Sequence, residues 1–177
     1  MKKLALILST VLSVCACDNQ AERLAHHEKA CLKAIDYGLL ETADSECTNA
    51  LGEPDTDSMD IHTRSQRLLR LGSIKRQRAI YSEAVTLIEQ SLVIEEESSN
   101  PDTYEIARRH YELSLALAGQ EKWQEGVVFV ETLLPNIDKF PATEQKAIIN
   151  TANIYISNLK KNHMDELTKN IEMHVQK

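Results

Sequence analysis

The stretch LLRLGSIKRQRAIYSEAVTLIEQSL, residues 68–92, decides the fold. It falls on two apolar-periodic segments, which we predict to be helices near 61–78 and 81–97. Gly72 lies in the first segment, Tyr81 opens the second, and the small residues Ala84 and Ser91 follow. Small side chains at the point where two helices cross let their backbones approach closely. The stretch therefore predicts a tight helical hairpin.

The hairpin pattern recurs along the chain at a nearly constant step. From Tyr81 a step of 42 reaches Trp123, a step back of 41 reaches Leu40, and a step of 41 beyond Trp123 reaches Met164. One hairpin cannot bury its apolar stripe alone, so neighbouring hairpins stack and the terminal ones act as caps. We therefore predict four repeats, each made of two helices. The predicted helices are 24–37, 40–51, 61–78, 81–97, 103–119, 122–134, 142–160 and 163–175.

Composition supports an all-α fold. The 177 residues include only five glycines, four prolines and two phenylalanines, and runs of alternating β-branched residues are scarce. Segments rich in Pro, Asp, Asn or Thr separate the repeats, and Asp102 and Thr143 are candidate helix N-caps.

The repeated pattern resembles the tetratricopeptide repeat, in which Leu-Gly lies in the first helix and an aromatic residue opens the second. Leu71-Gly72, Tyr81 and Ala84 carry this resemblance, and Trp123 opens the next second helix as a packing aromatic. The step of 41 to 42 is similar to the longer variant of kinesin light chains. The resemblance implies a right-handed superhelical α-solenoid over 24–177 that binds a protein and is no enzyme.

The N-terminal segment resembles a bacterial lipoprotein signal. Lys2 and Lys3 precede an uncharged apolar stretch from Leu4 to Val14, which is too short for a bilayer that needs ~20 residues. The following Val14-Cys15-Ala16-Cys17 resembles a lipobox, which implies cleavage after residue 16 and a diacylglycerol on Cys17. Residues 17–23 would then form a lipidated tether; an ordinary secreted protein cut nearby is the alternative.

The net charge and the residue that follows Cys17 indicate where the protein would lie and which partners it would bind. Asp18 resembles the signal that keeps enteric-type lipoproteins in the inner membrane, with the outer membrane as the alternative. Loss of Lys2 and Lys3 with the signal would change the net charge from −7 to −9. That balance argues against nucleic acid or anionic lipid surfaces as the main partners.

Cys31 and Cys47 would be the two thiols left after processing. In the repeat register they occupy facing positions of one hairpin, and an oxidising compartment favours a disulfide between them. The spacing of His27 and Cys31, i and i+4 on one helix, leaves a zinc site as a weaker alternative. We predict no metal and no cofactor.

The sequence contains none of the H-E-x-x-H, G-x-S-x-G and glycine-rich phosphate motifs, so catalysis has no evident centre. We interpret the run Glu95-Glu96-Glu97 as a solvated helix end, with an acidic docking patch as the alternative. The arginines of the predicted helix 61–78 are expected mostly to pair with nearby acids.

Binding would use the first helix of every repeat, which lines the groove of such an array. In the first repeat the family's groove positions include Leu32 and Ile35. Toward the third and fourth repeats the groove would be lined by apolar side chains. The alternative is that the fourth repeat folds over this end as a cap and buries them. The groove residues predicted in the other three repeats are Leu69, Ser73, Arg76, Arg108, Tyr111, Leu115, Ile156 and Leu159.

These features predict a lipid-anchored adaptor that binds another envelope protein, for secretion, pilus or cell-wall assembly. The alternative is a small inhibitory or immunity-type lipoprotein that sequesters a toxin or hydrolase.

Overall fold

The structure, a computed structural model, describes residues 20–52 and 59–175 of the chain. The described residues form α-helices, short 3₁₀ helices and turns, without a β-strand, so the all-α prediction is confirmed. The chain divides into two compact units, Met1–Asp60 and Ile61–Lys177. We refer to them as the N-terminal and C-terminal units. The predicted lipidation site, Cys17, lies outside the described residues.

The N-terminal unit is a helical hairpin of α1 (20–36) and α2 (Leu40–Leu51). Residues 20–23 of the predicted tether are thus already helical. The interior of this hairpin contains mainly small side chains, namely Ala34, Ala43 and Ala50, around a disulfide between Cys31 and Cys47 with an S–S distance of 2.02 Å. The predicted disulfide is confirmed, and it occupies Cys31, which the zinc alternative needed as a thiolate.

We predict that removal of this disulfide unfolds the N-terminal unit and leaves the C-terminal unit intact. Closing a loop of this length contributes ~3 kcal/mol in the chain-entropy model, and an alanine-lined interior offers little apolar area in its place. Amide hydrogen exchange of Cys31→Ala/Cys47→Ala should therefore lose protection within 20–52 only. Retained protection there would show that packing alone holds the hairpin.

The C-terminal unit contains six α-helices among its described residues. They are α3 (Ile61–Gln77), α4 (Tyr81–Glu96), α5 (Thr103–Gly119), α6 (Trp123–Leu133), α7 (Ala142–Lys161) and α8 (Lys169–Val175). The predicted boundaries of α3 to α7 agree with these within one residue. The Asp102 carboxylate caps α5, as predicted, by accepting from the Tyr104 backbone N–H at 2.8 Å, whereas the residue at the N-cap of α7 is Pro141.

Two features of the C-terminal unit differ from the predicted helices. A 3₁₀ helix, Leu134–Lys139, follows α6, because Pro135 has no N–H to continue the α-helical ladder. The predicted helix 163–175 is broken as well. It consists of a 3₁₀ helix, Asp165–Thr168, and the short α8.

One turn geometry joins the two helices of every hairpin. Gly38, Ala79, Glu121 and His163 all have a positive φ, between 58° and 67°. Each N–H donates to the carbonyl three residues back, and the next N–H donates to the carbonyl five residues back, at 2.8–3.0 Å. This is the Schellman pattern that ends helices. The four turns are 41, 42 and 42 residues apart, so the repeat step predicted from the sequence recurs in the backbone.

We predict that Ala79→Gly and Glu121→Gly each stabilise the protein by about 1 kcal/mol, because a left-handed backbone strains any residue with a Cβ. Ala147→Gly is the matched control. It lies exposed inside α7 and should destabilise by a similar amount. Urea unfolding measures all three, and destabilisation by the two turn variants would contradict the turn assignment.

Small residues permit close packing at two kinds of contact in the C-terminal unit. A Cβ at Gly72 would lie 2.5 Å from Ile88, its partner across the α3–α4 hairpin, as the sequence predicted. Gly126 has a different role. A Cβ there would overlap the hydroxyl of Tyr155, which comes from α7 and donates to the Ser114 carbonyl at 2.6 Å. The lack of a side chain at Gly126 therefore lets α7 of the next hairpin pack closely against α6.

Two apolar clusters run through the C-terminal unit, and α5 contributes to both. Leu113 belongs to the cluster of α3, α4 and α5, while Ala107 belongs to the cluster of α5 to α8. Trp123 packs against the second cluster, as predicted, with its ring 5.3 Å from that of Tyr155. No helix in the described parts of the chain is both long enough and apolar enough to span a bilayer.

Candidate binding surface

A buried arginine holds the first three helices of the C-terminal unit together. Arg109 on α5 is 0% exposed. Its Nε donates to Ser91 Oγ at 2.8 Å, and its Nη2 donates to Ser65 Oγ at 2.7 Å and lies 3.2 Å from Glu95 Oε2. Its Nη1 donates to the Glu105 carboxylate at 3.0 Å. One guanidinium therefore joins α3, α4 and α5.

This network corrects the interpretation of Glu95 as part of a solvated helix end. Glu96 and Glu97 are exposed, but Glu95 is 3% exposed and also accepts from the Asp102 backbone N–H at 3.3 Å. A buried carboxylate is tolerated because the guanidinium and these hydrogen bonds replace its water. The sequence signal for a buried arginine was that Arg109 lies on the same helix face as the apolar Leu113.

We predict that Arg109→Met destabilises the protein by about 3–5 kcal/mol, because it leaves the Glu95 carboxylate buried without its guanidinium partner. The neighbouring exposed Arg108→Met should cost less than about 1 kcal/mol. Adding Glu95→Gln to Arg109→Met should recover part of the loss. Urea unfolding provides the measurement, and equal losses for the two arginine variants would contradict this account.

On one side of this network, α3 and α5 lie next to each other. Gln66 Nε2 donates to Glu105 Oε2 at 3.0 Å, and Arg76 Nε donates to Glu112 Oε2 at 2.8 Å. Arg108 donates to the other oxygen of Glu105 at 3.1 Å. We call this surface the α3–α5 face. The predicted groove residues Arg76 and Arg108 both lie on it, each paired with a glutamate that the sequence analysis did not single out.

The charged side chains of the α3–α5 face form ion pairs with one another. Burial alone would raise the pKa of Glu105, but the Gln66 hydrogen bond and the guanidiniums of Arg108 and Arg109 outweigh it. The pKa of Glu105 is therefore below its ordinary value of 4.5. At neutral pH the carboxylate is charged and engaged, so a partner meets little unbalanced positive charge here.

The apolar part of the predicted groove begins beside these pairs. Tyr111 and Leu115 on α5 and Ile156 on α7 are half-buried. Tyr111 and Ile156 both pack against the cluster of α5 to α8, so the structure brings them to the same core. Ser73 on α3 is half-buried as well. Each of these four side chains keeps part of its surface in contact with solvent.

Two residues of the predicted groove belong instead to the core. Leu69 is 4% exposed and Leu159 is 0% exposed, and each packs inside an apolar cluster. The helix α7 presents Leu159 and Ala152 to the cluster of α5 to α8 and leaves Ile154 43% exposed.

In the N-terminal unit the groove positions of α1 remain at the surface. Leu32 is 42% exposed and Ile35 is 36% exposed. Nearby on the same hairpin, His27 Nδ1 lies 2.7 Å from Glu46 Oε2. A hollow of about 300 Å³ lies at the open end of this hairpin, lined by Arg23, His27 and Thr48 among others.

Within the described residues, His, Cys, Asp and Glu form no group of three or more that is arranged to hold a metal ion. His110 is buried beside the Phe129 ring, and burial lowers its pKa, so at neutral pH it packs as an uncharged ring. An open hollow of about 400 Å³ lies at His163 and Asp165.

Comparison of the chain with protein-family models, with curated proteins and with solved structures finds no match.

Proposed function

We propose that the chain is a lipid-anchored, tetratricopeptide-like scaffold that binds another protein of the bacterial cell envelope. One observation carries the proposal: α3 and α5, the first helices of successive hairpins, lie side by side and are joined by the Gln66–Glu105 and Arg76–Glu112 contacts. Residues of both helices are thereby presented to one partner. The repeated turn at Gly38, Ala79, Glu121 and His163 supports the same arrangement.

The proposed anchor is a lipid on Cys17, on the periplasmic face of the inner membrane, with the outer membrane as the alternative. The helix is already formed at Gln20, three residues further on. Three residues span at most ~11 Å, so the open end of the N-terminal hairpin would lie close to the bilayer. The scaffold is therefore proposed to act on partners at the membrane surface.

The composition of the α3–α5 face indicates how a partner would bind. Its cations are already paired with Glu105 and Glu112, so an acidic group gains little from replacing one carboxylate by another. The half-buried side chains of Tyr111 and Leu115 on α5 keep part of their apolar surface in contact with solvent. We propose that they are the centre of the contact, with the ion pairs at its polar rim.

Capture of partners from detergent-solubilised membranes of the native organism tests this function. We expect Tyr111→Ala/Leu115→Ala to lose partners that the unmodified chain captures, while Val93→Ala/Val128→Ala, at exposed positions of α4 and α6, retains them. Cys17→Ser should lose palmitate labelling and leave the membrane fraction. The assignment is wrong if both double variants capture the same partners, and the anchor is wrong if Cys17→Ser remains labelled.

A further inference from the structure

The outer side of α7 carries a line of uncharged and basic polar side chains. Lys146, Asn150, Asn153, Ser157 and Lys161 are all exposed. At 3.6 residues per turn they fall within about 40° of one line along the helix. The buried residues of α7, such as Ile148 and Leu159, lie on the opposite side. We call this line the α7 stripe.

The residues of the α7 stripe are not used by the fold. Within the described part of the chain, none of the five has a side-chain hydrogen bond or ion pair. The basic residues of α3 differ in this respect, since Lys75 pairs with Glu83 and Arg76 with Glu112. Lys160, beside the stripe, is likewise engaged by Glu172. The polar groups of the α7 stripe are therefore available to a ligand.

Helix propensity gives an independent reason to expect a role for the stripe. Asn and Ser are weak helix formers, and an exposed helix position normally favours Glu, Lys, Gln or Ala. Asn150 and Asn153 weaken α7 without contributing to its packing, and such local conflicts are typical of functional positions.

The charge around the stripe selects the chemistry of its partner. No acidic residue occurs between Glu144 and Asp165, although the whole chain has 27 acids. The net negative charge of the rest of the protein is screened beyond about 8–10 Å at physiological salt. A ligand on α7 therefore meets mainly the two lysines and the amides between them.

We propose that the α7 stripe binds an extended, acidic peptide segment of a partner protein. Each asparagine offers a carbonyl and an NH₂ group, which match the unpaired backbone N–H and C=O of an extended chain. Lys146 and Lys161 donate to carboxylates at either end. They are 15 residues apart, or ~22 Å along the helix, which an extended segment covers with about seven residues.

A membrane surface fits the stripe less well than a peptide. Membrane-binding helices combine clustered basic residues with large apolar side chains. Here the lysines lie at opposite ends, and Ile154 is the large apolar side chain exposed beside them. This inference rests on the proposed role of the protein as a binding scaffold and adds a second surface to the α3–α5 face.

An array of nonapeptides with zero to four acidic residues, probed with the full chain in detergent, tests the proposal. We expect binding to rise with the number of acids and to weaken at least about tenfold in Asn150→Ala/Asn153→Ala. The matched control is Gln90→Ala/Gln124→Ala, which changes exposed amides on α4 and α6. Thermal unfolding accompanies each variant. Because Ala is the better helix former, the asparagine variant should be at least as stable as the parent.

The proposal is overturned if binding does not depend on acids or if the asparagine variant binds like the parent. It is also overturned if that variant loses only binding to phosphatidylglycerol vesicles, which would assign the stripe to the membrane. None of these outcomes affects the scaffold function itself. That function fails separately, if Tyr111→Ala/Leu115→Ala leaves partner capture unchanged.

Discussion

A left-handed residue at the end of each first helix is the constraint on which this structure depends. At Gly38, Ala79, Glu121 and His163 the backbone closes the same pair of hydrogen bonds and sends the second helix back along the first. Three of these residues carry a Cβ and adopt this conformation against its steric cost. Within the C-terminal unit, the turns at Ala79 and Glu121 fix the α3–α4 and α5–α6 hairpins alike, 42 residues apart. This regularity places α3 and α5 side by side, so that their side chains form one shared surface.

The two units hold their helices together by different chemical interactions. The N-terminal hairpin has an interior of alanines and relies on the Cys31–Cys47 disulfide, so its folding is tied to an oxidising environment. The C-terminal unit has large apolar clusters and adds the Arg109 network, in which one buried guanidinium fixes three helices. A buried network of charged side chains is stabilising only while every member remains paired. It makes the relative positions of α3, α4 and α5 specific.

Much of this fold follows from the sequence, because periodic small and apolar residues determine where helices run and where they turn. The disulfide follows from the same register. The Arg109 network does not, since its members are far apart in sequence and Glu95 sits in an acidic run that is typical of solvated helix ends. The sequence assigns Leu159 to the groove, whereas the structure buries it in the cluster that contains Tyr155 and Ile171. Rotation of a helix about its axis depends on its neighbours, which the local sequence does not encode.

We propose that the protein binds its partner through the first helices of its hairpins, while exposed side chains of the second helices, such as Val93 on α4 and Val128 on α6, stay outside the contact. Hydroxyl-radical footprinting of the full chain with a captured partner tests this claim most directly, because it reports on individual side chains. The account predicts protection of Tyr111 and Leu115 on α5 and unchanged oxidation of Val93 on α4 and Val128 on α6. Protection confined to Val93 and Val128 would contradict it.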